Sequence, residues 1–109
     1  ERFAPQLILV SAGFDAHWSD PLARMDLTLT GYAHLTHELI RMADRLCDGR
    51  IVFVMEGGYN LDALGFGVNN IARLLLGDKP VDTMGASPRA RAEPDITPLL
   101  AMVRKLHNL

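Results

Sequence analysis

The sequence predicts an α/β fold, a βαβα unit resting on a parallel sheet. Two apolar runs carry the prediction, QLILVSA at residues 6–12 and IVFVM at 51–55. Unbroken runs of this kind are the composition of strands buried on both faces. A stretch of apolar residues at helical spacing follows each run. Two parallel strands alone would both be edges. The sheet therefore needs more strands, from a longer chain or from a second copy. The sequence begins at Glu1 rather than Met and reads as cut from something longer.

The elements follow in order. The first strand stops at Gly13, and residues 14–30, with Pro21, show no clean period and are expected to form an ordered loop. Thr28 or Thr30 is placed to cap the next helix. Over 31–47 the residues Leu35, Leu39, Met42 and Leu46 recur at spacings of four, three and four, one stripe of an amphipathic helix. Gly49 suits the position just past its end. After the second strand come Glu56-Gly57-Gly58, and then Leu61, Leu64, Val68, Ile71, Leu74 and Leu75 share the face of a second helix. Gly65 and Gly67 weaken that helix by roughly 1 kcal/mol each relative to Ala, which suggests close packing there. Residues 1–78 make up this unit. Residues 79–95, which hold Pro80, Pro88 and Pro94, read as a linker or draped tail, and 96–109 as a C-terminal helix with Leu99, Leu100, Val103 and Leu106 apolar.

Composition narrows the function. Only 22% of the 109 residues are charged and nearly half are apolar, so a packed core is expected rather than disorder. The net charge is −2 and no basic run exceeds two residues, which speaks against a nucleic-acid surface or a polybasic membrane patch. No apolar run approaches the ~18 residues of a membrane span. The single cysteine, Cys47, excludes an internal disulfide and fits a reducing, cytoplasmic setting.

Ligands of open α/β sheets bind beyond the carboxyl ends of the strands. Asp15 stands just past the first strand and Tyr59 just past the second. Adjacent strands lie about 5 Å apart, and about 10 Å with one strand between. Either spacing lets a carboxylate and a phenol face one small site.

The pair LILVSAGFDAHWSDPL and IVFVMEGGYNL, in this order and spacing, resembles the histone deacetylase superfamily. More narrowly, it is similar to the class II branch and its bacterial relatives, which include acetylpolyamine amidohydrolases and acetoin-utilisation proteins. The likeness covers residues 5 to about 78. It implies the C-terminal part of an arginase/deacetylase-like fold with a central parallel sheet, and an enzyme that hydrolyses N-acetyl amides with one zinc ion. By the resemblance, Asp15 is a zinc ligand and Tyr59 is the catalytic hydrogen-bond donor to the substrate carbonyl. Leu22 is a wall of the substrate channel, and Gly57 and Gly58 let backbone approach that channel. The family's other two zinc ligands and its tandem histidines lie upstream, so the resemblance implies that this chain alone is inactive and needs the N-terminal remainder of the domain. The substrate would be an acetylated lysine or an acetylated small amine. Ala23-Arg24 stands where many class II members carry a glycine pair, at the edge of the substrate entrance.

Plainer readings stand beside these. Asp15-Ala16-His17 spells a metal-pair spacing, but His17 is read as a residue behind the metal ligands or simply of the loop. His34 and His37 are read as solvated, Asp20 as a turn residue, Glu56 as hydrogen-bonded in its loop and Cys47 as packing. Trp18 either packs or forms part of a rim. A non-catalytic interaction module of the same fold, or a nucleotide-binding α/β domain, are the competing functions. The second lacks any G-x-G-x-x-G or phosphate-binding lysine motif. Exposed strand edges and apolar helix faces are expected to drive self-association of the isolated chain.

Overall fold

Residues 8–12 and 51–55 pair as two parallel strands, Ile8 opposite Ile51 and Ala12 opposite Met55. They come from a computed structural model that describes residues 3–23, 25–89, 92 and 94–109. Strand β1 is Ile8–Ala12, helix α1 is Leu29–Cys47, strand β2 is Ile51–Met55, helix α2 is Leu61–Leu75 and helix α3 is Thr97–His107. Two helices pack together, α1 and α2, and with the sheet they make two layers.

Burial alternates along both strands, where the apolar runs predict cover on both faces. Val10, Ala12, Ile51 and Phe53 face apolar crevices lined by α1 and α2. Leu9, Val52 and Val54 point the other way and remain 67%, 45% and 46% exposed. The difference has a simple cause: this chain supplies cover for one face only.

Helix α1 begins two residues before the predicted start. Thr28 is its cap, and the Thr28 hydroxyl accepts from the Gly31 amide at 3.0 Å. Its fully buried positions are Leu29, Ala33, Thr36, Ala43 and Cys47, not the predicted stripe. Leu35 and Leu39 line the crevice over Val10 and Phe53, which is open on one side, and Leu35 is 56% exposed. Asp48 ends the helix in the left-handed region at φ 53°, with Gly49 following at φ 74°.

The Asn60 side chain caps α2, accepting from the amides of Asp62 and Ala63 at 3.1 Å each. Within α2, Gly67 is a matter of space: a methyl group there would stand 2.2 Å from the Phe14 ring, whereas nothing lies within 4 Å of one at Gly65. Beyond α2 the chain is tied back. Asn70 exchanges two 2.8 Å hydrogen bonds with the backbone of Val81, and Arg73 donates to the Lys79 carbonyl at 2.7 Å. Asp82 accepts from the Thr30 amide and hydroxyl at 2.9 and 2.8 Å, adding a second cap to α1. Helix α3 buries no residue. No helix among the described residues is long and apolar enough to cross a membrane.

Candidate active site

Hydrogen bonding between the two chain segments continues past both strands. Glu56 donates to the Ala12 carbonyl at 3.1 Å, and Phe14 donates to the Gly57 carbonyl at 2.8 Å. The segments carrying Asp15 and Tyr59 therefore leave the sheet side by side, at the same end. The Asp15 carboxylate lies against bare backbone. A methyl group at Gly57 would stand 3.1 Å from its carboxyl carbon, and one at Gly13 would stand 2.8 Å from Oδ1. Any side chain at Gly57 would push this carboxylate aside.

Gly58 is required twice over. Its φ of 140° is a conformation that L side chains rarely adopt, and a methyl group would meet both Phe14 and Leu64 at 3.2 Å. Phe14 is 3% exposed and packs its ring at 5.1 Å, centroid to centroid, from that of Tyr32. It supports both loops from below. Leu22 and Tyr59 are 63% and 58% exposed.

The connection between these two residues is Asp20, more than the turn residue expected from the sequence. Asp20 is buried. Its Oδ1 accepts from the amides of Leu22 and Ala23 at 2.8 and 3.4 Å, and its Oδ2 accepts from the Tyr59 amide at 2.8 Å. Burial alone would raise its pKa. The amide donors, Tyr59 first, outweigh that and hold the carboxyl below the usual range. The aspartate-proline pair gives the turn away in the sequence, but a bond across 39 residues is visible only once the strands pair.

Three further residues lie under the loop. His17 is fully buried, and its Nδ1 accepts from the Ser19 amide at 3.2 Å and contacts the Ser19 hydroxyl at 2.8 Å. The amide can only donate, so the ring proton is assigned to Nε2. Burial lowers the His17 pKa, against the opposing charges of Asp82 and Asp20. The His17 ring is enclosed within the loop. Tyr32 was not foreseen. Burial, with Asp15 and Asp20 adding, pushes its pKa up to about 12, while the amides of Ala16 and His17 oppose the shift. Trp18 packs, donating from Nε1 to the Gly85 carbonyl at 3.0 Å. His34 and His37 are exposed on α1. Glu56 accepts from the Ser11 hydroxyl at 3.2 Å, and Cys47 is buried with its Sγ 3.2 Å from the Arg50 carbonyl.

Among the described residues, no three His, Cys, Asp or Glu side chains come together as a metal site would need. Asp15 fits as one oxygen donor, unhindered over two glycines. Four-coordinate zinc at a catalytic site takes three protein ligands, so two would have to come from outside the described residues.

Residues 1–75 match the family model of the histone deacetylase domain. The chain is 49% identical over 78 residues to histone deacetylase 14, chloroplastic, of Arabidopsis thaliana, covering 72% of this chain and 18% of that protein. It is 47% identical over 61 residues to a probable deacetylase of Archaeoglobus fulgidus, covering 56% of this chain and 17% of the relative. The solved structure of the histone deacetylase Clr3 superposes with a TM-score of 0.69 at 35% identity, over 96% of this chain and 16% of that one. The chain thus spans less than a fifth of the length of these proteins. The parallel strands, the loops at their carboxyl ends and these similarities agree: the chain belongs to the histone deacetylase family.

Proposed function

We propose that this chain is the C-terminal portion of a zinc-dependent deacetylase domain that hydrolyses N-acetyl amides, on acetyl-lysine or on acetylated small amines. The observation that carries the reading is the Asp15 carboxylate seated against Gly57, two residues before Tyr59, at the shared end of adjacent parallel strands. Asp15 would ligate the metal together with ligands from the N-terminal remainder of the domain. Zinc held there would polarise the acetyl carbonyl and acidify the attacking water. Tyr59 donates a hydrogen bond to the carbonyl oxygen as negative charge builds on it, a role open to a phenol at neutral pH. Gly57 and Gly58 keep the slot free of side chains, and Leu22 forms a wall. Water adds to the carbonyl, the amine leaves with a proton, and acetate is released. The proton-moving groups lie outside this chain, so the 109 residues alone are inactive. A cytoplasmic location is part of this reading, in keeping with the unpaired Cys47.

The test is made in the complete domain. Tyr59→Phe is expected to lower kcat about 10²–10³-fold, the worth of one oxyanion donor, with bound zinc unchanged by elemental analysis. Asp15→Ala is expected to lose both zinc and turnover. A Tyr59→Phe enzyme with wild-type turnover would favour the non-catalytic module instead. Zinc-dependent deacetylation by the pure 109-residue chain would refute its assignment as an incomplete part.

A further inference from the structure

We propose that Asp20 is a positioning residue for Tyr59, fixing where the phenol stands by holding its backbone amide. The proposal rests on the reading of Tyr59 as the donor to the substrate carbonyl, and goes beyond it to the device that places it.

Asp20 is 4% exposed, and both of its oxygens are engaged in different loops. Oδ1 closes its own turn through Leu22 and Ala23, and Oδ2 reaches Tyr59. One residue later the Asn60 side chain caps α2, and its Nδ2 lies 3.5 Å from the Ser19 carbonyl. Tyr59 is therefore gripped on its amide side by Asp20 and on its carboxyl side by the start of α2. Within these 109 residues its side chain is 58% exposed, so the contacts described here hold its backbone rather than its ring. In such a case the backbone anchor decides where the hydroxyl falls. The same carboxylate sets the amide of Leu22, so one buried group fixes both residues relative to each other. Gly58, at φ 140°, leaves the backbone before Tyr59 with no side chain to restrain it.

An ionised carboxylate offers two acceptor oxygens, whereas an amide of the same shape offers one acceptor and one NH2 donor. With Oδ1 kept by Leu22 and Ala23, Asp20→Asn sets an NH2 against the Tyr59 N–H. The turn survives and the link to Tyr59 is lost. In the complete domain, Asp20→Asn is expected to lower kcat about 10- to 100-fold, in line with the cost of a small misplacement, with zinc content unchanged. In the Asp20→Asn/Tyr59→Phe double variant, the Asn substitution is expected to cost less than about twofold beyond Tyr59→Phe alone, because Asp20 acts through the missing hydroxyl. Multiplied losses would show that Asp20 acts by another route and overturn the proposal, as would wild-type kcat in Asp20→Asn. A fully active Tyr59→Phe single variant would instead sink the reading of Tyr59. Should Asp20→Asn not fold, amide exchange in the wild-type domain decides. The Tyr59 N–H is expected to be protected well beyond that of its neighbour Gly58, and exchange at an unstructured rate would overturn the proposal.

Discussion

The two faces of the β1–β2 sheet are almost equally apolar in sequence and very unequally covered. On one face Val10, Ala12, Ile51 and Phe53 lie under α1 and α2. On the other, Leu9, Val52 and Val54 are open. The loops that carry Asp15, Asp20 and Tyr59 are braced by Phe14, packed against Gly58 and Gly67, and by the hydrogen bonds of Asp20. The loops at the site end thus carry a supporting layer within the described residues, while the back of the sheet does not. Catalytic geometry and completeness of the core are separate properties here, and they can be broken separately.

The largest stability effect should come from this packing. Phe14→Ala removes a ring that is 3% exposed and packs against Gly67 of α2 and the Tyr32 ring. It is expected to cost about 3–5 kcal/mol in urea unfolding of the complete domain. Gly67→Ala tests the same contact from the other side, by overpacking, for about 1–3 kcal/mol. A loss under about 1 kcal/mol in both would mean that the loops stand without this support.

The second prediction sets the faces against each other. Val52→Lys places a charge on the open face. In the 109-residue chain it should keep the helical content by circular dichroism and reduce the self-association expected of the bare face, read by light scattering. In the complete domain, where a further layer is expected on that face, the same change should destabilise by about 1–3 kcal/mol. Val10→Lys, on the covered face, should damage both. Equal tolerance of Val52→Lys in both settings would mean that nothing covers Val52.

Much of this was legible in the sequence, for identifiable reasons. The strands announce themselves through unbroken β-branched and apolar runs, and the loop residues Asp15, Gly57, Gly58 and Tyr59 through where those runs stop. Helix α1 shows the limit. Its large apolar residues mark a stripe through Leu35 and Leu39, but small Leu29-side neighbours such as Ala33 and Ala43 occupy the tightest positions. Hydrophobic spacing reports which face is greasy, and close approach selects which residues vanish. Asp20 and Tyr32 were unreadable for another reason. Their importance comes from partners brought near by strand pairing and by the return of α1 under the loop, and no local pattern encodes either. In α3, Thr97–His107, apolar spacing alone could not supply a surface, and among the described residues it buries nothing.

The smallest effect concerns how the covered side is fastened at the start of α1. Asp82 gathers four donors: the Gly85 amide at 2.7 Å, the Thr30 hydroxyl and amide at 2.8 and 2.9 Å, and the Met84 amide at 3.1 Å. Burial alone would raise its pKa, but these bonds overcome that and hold it below the ordinary 3.8. A carboxyl depressed on folding is ionised in the native state at pH values where the unfolded chain has begun to take up a proton. Its contribution is therefore complete above about pH 4 and fades as pH falls through the folded value. Asp82→Ala removes a cap of α1 and should cost about 1–2 kcal/mol at pH 7. The gap between variant and wild type, followed by urea midpoints in the complete domain, should narrow as the pH is lowered below 4. A gap that stays constant across that range would mean that the bonds to Thr30 and Gly85 do not depend on the charge, and that the second cap of α1 is geometric rather than electrostatic.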